Sequence, residues 1–129
     1  MRRLFFLLIV ILLGLIGCSG ATTTTADTYQ QITQSKAKEM MMNSQHVIVL
    51  DVRERNEFDS GHIPGAVLLP VGTITRDTAA AVIPKSDSIV LVYCRSGNRS
   101  KTASQTLIDL GYTNIYEFGG INTWPYEVE

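Results

Sequence analysis

The fold is decided by residues 89–100, which read Ile89-Val90-Leu91-Val92-Tyr93-Cys94-Arg95-Ser96-Gly97-Asn98-Arg99-Ser100. The first four residues form an apolar, β-branched run that is typical of a buried strand. A helical pattern runs from residue 100 to residue 110 and stops at Gly111. A strand, a short loop and a helix in this order are the building unit of a parallel sheet.

The rest of the chain repeats this alternation. Apolar runs predict further strands at residues 29–32, 47–50, 66–69 and 114–118. Helical patterns occupy residues 33–43, with Thr33 as N-cap, and residues 56–60 and 78–83. The sequence therefore predicts an α/β domain with a parallel sheet, right-handed crossovers and helices on both faces.

The loop at 94–100 is the candidate functional site. Backbone N–H groups of a tight loop and of a first helical turn have no partners within the helix and attract anions. This cradle and the flanking Arg95 and Arg99 favour the thiolate of Cys94, so we expect a lowered pKa and a reactive nucleophile. The alternative is an inert cysteine that only fills the core.

The N-terminus resembles an export signal. Arg2 and Arg3 precede thirteen apolar or glycine residues, which are too few for the roughly 20 of a membrane span. Residues 15–18, Leu-Ile-Gly-Cys, resemble the lipobox of bacterial lipoproteins, in which Cys18 is lipidated. We predict a signal peptide at 1–17, a threonine-rich tether at 18–28 and a domain at 29–129. The alternative is an uncleaved signal anchor.

This interpretation places the protein in the cell envelope, held on the periplasmic or extracellular side by lipid on Cys18. Cys94 then has no cysteine partner and remains a free thiol. From Cys18 onward the chain carries nine basic and twelve acidic residues, a net charge of −3. That balance argues against a nucleic-acid partner.

Four motifs in the order and spacing of one family cover most of the chain from Tyr29 to Trp124. They are Asp51-Val52-Arg53-Glu54 with Glu57-Phe58, Gly61-His62-Ile63-Pro64-Gly65-Ala66, the loop 94–100, and Gly119-Gly120 with Trp124. The chain thus resembles the single-domain rhodaneses, or thiosulfate sulfurtransferases. The resemblance implies a five-stranded parallel sheet with the loop strand beside strand 47–50. It also implies a covalent persulfide on Cys94 and no separate cofactor.

Loop length separates this family from related phosphatases. Phosphatase loops follow Cys-x5-Arg, whereas this chain has Cys94-x4-Arg99 and places Ser100 where that arginine would stand. The resemblance therefore disfavours phosphate-ester or arsenate chemistry. Two arginines in the loop favour thiosulfate, a dianion, as the sulfane-sulfur donor, with cyanide or a thiol as acceptor. The alternative function is a lipid-anchored persulfide carrier or sulfide-sensing module with little turnover.

We expect a distinct role for each candidate residue. Cys94 is the nucleophile, and Asp51, Arg53 and Glu57 support the loop from neighbouring elements. Arg99 either binds the substrate or pairs with Glu57 as a brace. The anion-binding loop consists of Arg95, Ser96, Gly97, Asn98, Arg99 and Ser100.

Two further expectations concern histidine and the C-terminus. We expect His62 to stabilise a turn, and we expect no metal site because His46, His62 and Cys94 lack ligand spacing. The chain departs from the family pattern after Trp124, so we expect looser packing beside the last strand.

Overall fold

A computed structural model describes Gly17 and residues 28–129. Five parallel strands form one sheet in the order β1-β5-β4-β2-β3. The strands are β1 (Gln30–Gln31), β2 (Ile48–Asp51), β3 (Val67–Leu68), β4 (Val90–Cys94) and β5 (Ile115–Gly120). The prediction of a five-stranded parallel α/β sheet is confirmed, as is the position of β4 beside β2.

Helices cover both faces of the sheet, as predicted. They are α1 (Gln34–Asn43), α2 (Arg55–Asp59), α3 (Arg76–Val82) and α4 (Asn98–Asp109). One core packs α3 and α4 against alternate residues of β4, among them Val90 and Val92. The other packs α1 against the intervening residues, Leu91 and Tyr93. Since β4 is buried along its whole length, it forms the centre of the domain.

Helix boundaries follow the capping chemistry of the sequence. Thr33 caps α1 by accepting the N–H of Lys36, as predicted. Helix α3 begins two residues earlier than predicted because Thr75 and Thr78 form a reciprocal cap. Helix α4 also begins two residues earlier, at Asn98, because Gly97 takes a left-handed conformation with φ of 104° and turns the chain directly into the helix.

Strand β5 contains an irregularity beside the loop. Val92 pairs with Glu117, but Cys94 pairs with Gly120, so β5 carries one extra residue over this interval. Gly119 supplies the left-handed conformation at this position, with φ of 89°. The strand therefore reaches Gly120, two residues beyond its predicted end.

The last residue of the C-terminal segment is held by hydrogen bonds to the turn before β3. His62 and Glu129 exchange two backbone hydrogen bonds, each 2.9 Å long. The indole N–H of Trp124 donates to the carbonyl of Glu127 at 3.1 Å. The backbone bonds tie Glu129 to the turn before β3, and the looser packing expected beside the last strand stays a prediction.

The lipoprotein prediction falls largely on residues that the structure does not describe. Apart from Gly17, the signal sequence at 1–17, the lipidation site Cys18 and the tether through residue 27 lie outside the described residues. Within residues 28–129, none of the helices has the length and apolar character needed to span a bilayer. The assignment to the cell envelope stays a prediction.

Candidate active site

Cys94 lies at the carboxyl end of the central strand, beneath the first turn of α4. The residue is 1 % exposed. Its Sγ accepts the backbone N–H of Gly97 at 3.0 Å, and the thiol donates to Oγ of Ser100 at 3.4 Å. The loop 94–100 therefore wraps around the sulfur and directs a helix N-terminus at it.

The hydrogen bonds of the loop lower the pKa of the Cys94 thiol by more than burial raises it. Burial alone raises the pKa of Cys94. When the thiol ionises, hydrogen bonds with the Ser100 hydroxyl and from the N–H groups of Ser100, Gly97 and Ser96 stabilise the thiolate, and they lower the pKa below the ordinary thiol value. The predicted direction of the pKa shift is confirmed. We expected both the loop N–H groups and the arginine charges to lower this pKa, and its main favourable causes are the loop hydrogen bonds.

Gly120 keeps the loop close to β5. A Cβ at this position would overlap the carbonyl of Arg95 and lie 2.6 Å from Cα of Ser96. The same carbonyl accepts the N–H of Asn122 at 3.1 Å. Any side chain at residue 120 would displace the backbone that surrounds Cys94.

Arg99 forms a brace with Glu57 on α2. Its two terminal nitrogens donate to the two carboxylate oxygens at 2.7 and 2.8 Å. Oε2 of Glu57 also accepts the backbone N–H of Glu54, so the brace ends in the cap of α2. Of the two roles predicted for Arg99, this geometry favours the brace.

We expect the brace to weaken in acid. The hydrogen bonds from Arg99 hold the pKa of Glu57 at about 2. Because the folded-state pKa is lowered, the stabilisation is complete above the unfolded value of about 4.3 and is lost as pH falls towards 2. Urea unfolding should give a difference in free energy between wild type and Glu57→Gln that is constant above about pH 5 and shrinks below it.

The control for this measurement is Glu39→Gln. Glu39 pairs with Lys36 on the surface of α1, and its side chain is 58 % exposed. Such a pair is worth little, so the variant should unfold like wild type at every pH. A difference between wild type and Glu57→Gln that does not change between pH 2 and 6 would contradict the assignment.

Asp51 and Arg53 support Tyr93, the neighbour of Cys94, rather than the sulfur itself. Asp51 accepts the Tyr93 hydroxyl at 2.6 Å and Nη2 of Arg53 at 2.8 Å. Arg53 also donates to the carbonyl of Gly61 at 2.7 Å. This buried network joins β2 and β4 to the turn before β3, at the end of the sheet that carries the loop.

Arg95 is the exposed cation of the loop. It lines a cleft of about 300 Å³ together with Arg53, Glu57 and Asn122. Among the residues that the structure describes, its side chain has no ion-pair or hydrogen-bond partner. Ser96 and Asn98 are also exposed, and Ser96 contributes its backbone N–H to the sulfur.

Sequence reasoning did not identify Glu117 as a residue of the site. It is 3 % exposed, and its Oε1 accepts the Ser100 hydroxyl at 2.7 Å and the N–H of Gly119 at 2.8 Å. The available signal was strand alternation, which places residue 117 on the same face as the core residue Ile115. A carboxylate at a core position requires buried partners, and the loop provides them.

His62 stabilises the turn in which it lies. Its ring stacks on Phe58 with the centroids 3.8 Å apart, and Nδ1 lies 3.0 Å from the carbonyl of Phe58. These contacts agree with a structural role and hold the ring at the end of α2. Within the described residues, no three His, Cys, Asp or Glu side chains cluster as metal ligands would.

A parallel α/β sheet with a buried cysteine loop at the end of its central strand defines the class of this domain. Residues 33–126 match the family described as the rhodanese-like domain. The chain belongs to the rhodanese-like domain family.

Relatives named as sulfurtransferases share this domain. The Adenylyltransferase and sulfurtransferase UBA4 of Meyerozyma guilliermondii is 37 % identical over 95 residues, which cover 67 % of this chain and 22 % of the relative. Thiosulfate sulfurtransferase PspE of Escherichia coli is 35 % identical over 72 residues, 56 % of this chain and 68 % of the relative. The chain therefore spans 22 % of the length of the UBA4 relative and 68 % of the length of PspE.

Solved structures show the same fold. A rhodanese with anions from E. coli has a TM-score of 0.60 at 26 % identity, covering 64 % of this chain and 96 % of that one. A rhodanese-related protein from Thermoplasma volcanium has a TM-score of 0.66 at 30 % identity, covering 78 % and 98 %. Both likenesses extend over nearly the whole solved chain.

Proposed function

We propose that this chain is a sulfurtransferase that moves sulfane sulfur from thiosulfate to a thiophilic acceptor through a persulfide on Cys94. The observation that carries the proposal is the sulfur itself, held in a loop whose N–H groups and Ser100 hydroxyl lower the pKa of the thiol. Those donors favour an anionic sulfur before the reaction and an anionic persulfide after it.

The first half-reaction forms the persulfide. The electron pair of the Cys94 thiolate forms a bond to the outer sulfur of thiosulfate. The sulfur–sulfur bond of thiosulfate breaks, and its electron pair leaves on sulfite. In the second half-reaction, cyanide or a thiolate forms a bond to the outer persulfide sulfur and returns the electron pair to Cys94. Two displacements through a covalent intermediate replace one more difficult transfer.

The charges around the loop favour an anionic donor. Arg99 is engaged with Glu57, so Arg95 is the loop arginine free to meet a dianion in the cleft that it lines. A charge-assisted hydrogen bond from a guanidinium suits the sulfonate end of thiosulfate. The relatives from E. coli and Coxiella burnetii that are named thiosulfate sulfurtransferases support the same donor.

The proposal is tested with the full chain, thiosulfate and cyanide. We expect thiosulfate alone to add about 32 Da, one sulfur atom, to the peptide that contains Cys94, and cyanide to remove it as thiocyanate. An adduct that passes rapidly to a thiol but supports little thiocyanate turnover would instead favour a persulfide carrier. Absence of the adduct together with absence of turnover would overturn both functions. A chromogenic phosphate ester serves as the control substrate and should not be hydrolysed.

A further inference from the structure

Two clefts adjoin the segment of the loop that runs from Arg95 to Gly97. Arg95 lines the cleft of about 300 Å³ in which we place the anionic donor. Ser96 and Gly97 line a second cleft of about 390 Å³, between the loop and the residues that join β1 to α1. The N–H groups of Ser96 and Gly97 also act on Sγ of Cys94. The second cleft therefore adjoins the position at which a persulfide would lie.

A buried carboxylate without a cationic partner lines this second cleft. Glu117 is 3 % exposed, and its Oε1 accepts the Ser100 hydroxyl and the N–H of Gly119. Its Oε2 has one long contact, 3.5 Å to the side-chain amide of Gln31, which lines the cleft as well. These donors are neutral, and among residues 28–129 no Lys, Arg or His side chain forms an ion pair with Glu117. Because a buried charge is normally paired, Glu117 indicates where a cationic group of a ligand would bind.

The same cleft is lined by a free cation, Lys101, near the beginning of α4. Lys101 is exposed, and in the part of the chain that the structure describes its ammonium group has no ion-pair partner. A lysine ammonium group attracts a carboxylate as a compact point charge. The cleft thus presents a cation and a buried anion, and the charge of Glu117 makes it unfavourable for thiosulfate, which is a dianion. A ligand that carries one charge of each sign fits it better.

We propose that this cleft binds the sulfur acceptor, and that the acceptor is a small thiol carrying both an ammonium and a carboxylate group. Glu117 pairs with the ammonium group and Lys101 with the carboxylate, which places the thiol beside the loop. The acceptor loses its proton to water, and its thiolate forms a bond to the outer persulfide sulfur. The bond from that sulfur to Sγ breaks, and its electron pair returns to Cys94. The transfer rests on the proposed function, whereas the binding of the acceptor does not.

Four probe thiols separate the two charges of the acceptor. Free cysteine carries both groups, cysteamine only the ammonium, mercaptopropionate only the carboxylate, and mercaptoethanol neither. The full chain is first treated with thiosulfate, and intact mass verifies the sulfur adduct on Cys94. Loss of the adduct is then followed at increasing thiol concentration, which gives a second-order rate constant for each probe. Because the probes differ in intrinsic reactivity, each rate constant is compared between variant and wild type for the same thiol.

Each of two variants should slow a different pair of probes. Lys101→Gln removes the partner of the carboxylate, so we expect about a fivefold loss for cysteine and mercaptopropionate and no change for the other two thiols. Glu117→Gln keeps an acceptor for Ser100 and Gly119 but lacks the charge. Relative to mercaptoethanol, which reports any change in the loop itself, cysteine and cysteamine should each lose about tenfold. The matched control is Lys85→Gln in the turn before β4, which should leave all four rate constants unchanged.

A binding measurement tests the cleft without sulfur transfer. S-methylcysteine carries both charges but no thiol, and its addition to the full chain should shift the amide NMR signals of Gly97 and Gly119, less so in Lys101→Gln. Equal effects of Lys101→Gln on all four thiols would overturn the proposal, as would shifts that this variant leaves unchanged. If thiosulfate leaves no adduct, the proposed function fails and the binding measurement alone decides the acceptor cleft. Because Lys101 is exposed, its variant decides the test even if Glu117→Gln does not fold.

Discussion

Cys94→Ser is expected to reduce thiocyanate formation from thiosulfate and cyanide by about a thousandfold or more. A serine hydroxyl stays protonated where a thiol ionises, and its oxygen does not form a persulfide. In wild type the N–H of Gly97 donates to the sulfur at 3.0 Å, and the serine oxygen retains an acceptor for it. The loop should therefore stay folded while the chemistry disappears. The measurement is the initial rate of thiocyanate formation, with the sulfur adduct followed by intact mass.

The chain offers a matched control in its other cysteine. Cys18→Ser makes the same chemical change outside the domain at 29–129. In the purified protein it should leave both the rate and the Cys94 adduct as in wild type. Thermal unfolding of Cys94→Ser should resemble that of wild type, which separates lost chemistry from lost structure. Turnover by Cys94→Ser above one tenth of the wild-type rate would refute a Cys94 persulfide.

The fold could be predicted because its signals are local. The continuous apolar runs before Asp51 and Cys94 identify strands buried on both faces, and Thr33 and Gly111 mark the beginning of one helix and the end of another. The boundaries that were missed depend on tertiary structure. Helix α4 begins at Asn98 because the chain turns at Gly97, and Gly120 on β5 leaves room for the backbone of Arg95 and Ser96 that precedes this turn.

The sequence indicated which residues belong to the candidate site but not which of them contact one another. The sequence motif identified Cys94 and its loop as the candidate site. The expectation that Asp51 and Arg53 support the loop stays a prediction, and their contact with Tyr93 was not foreseen. The choice between two roles for Arg99 required the position of Glu57, which is 42 residues away in the chain. Glu117 was missed because strand alternation shows that residue 117 faces the core but does not show that Ser100 of α4 is its partner.

Asp51→Asn should cost about 3–5 kcal/mol of unfolding free energy. Asp51 is fully buried and accepts three side-chain hydrogen bonds from Arg53, which is 5 % exposed. Asparagine keeps the shape but removes the charge, and its amide presents a donor where Tyr93 and Arg53 already donate. The result is a buried guanidinium without a counter-charge. Urea unfolding measures the loss.

An Asp→Asn substitution at an exposed position shows whether the burial of Asp51 causes the expected loss of stability. Asp109→Asn lies at the exposed end of α4, where Asp109 accepts a hydrogen bond from Gln105, and should change the unfolding free energy by less than about 0.5 kcal/mol. Asp51→Leu combined with Arg53→Met removes both charges and should recover part of the loss, because no unpaired charge remains. If Asp51→Asn costs less than about 1 kcal/mol, the network of Asp51, Arg53 and Tyr93 does not hold β2 to β4. The rigidity of the strand before Cys94 would then have to come from the apolar cores alone.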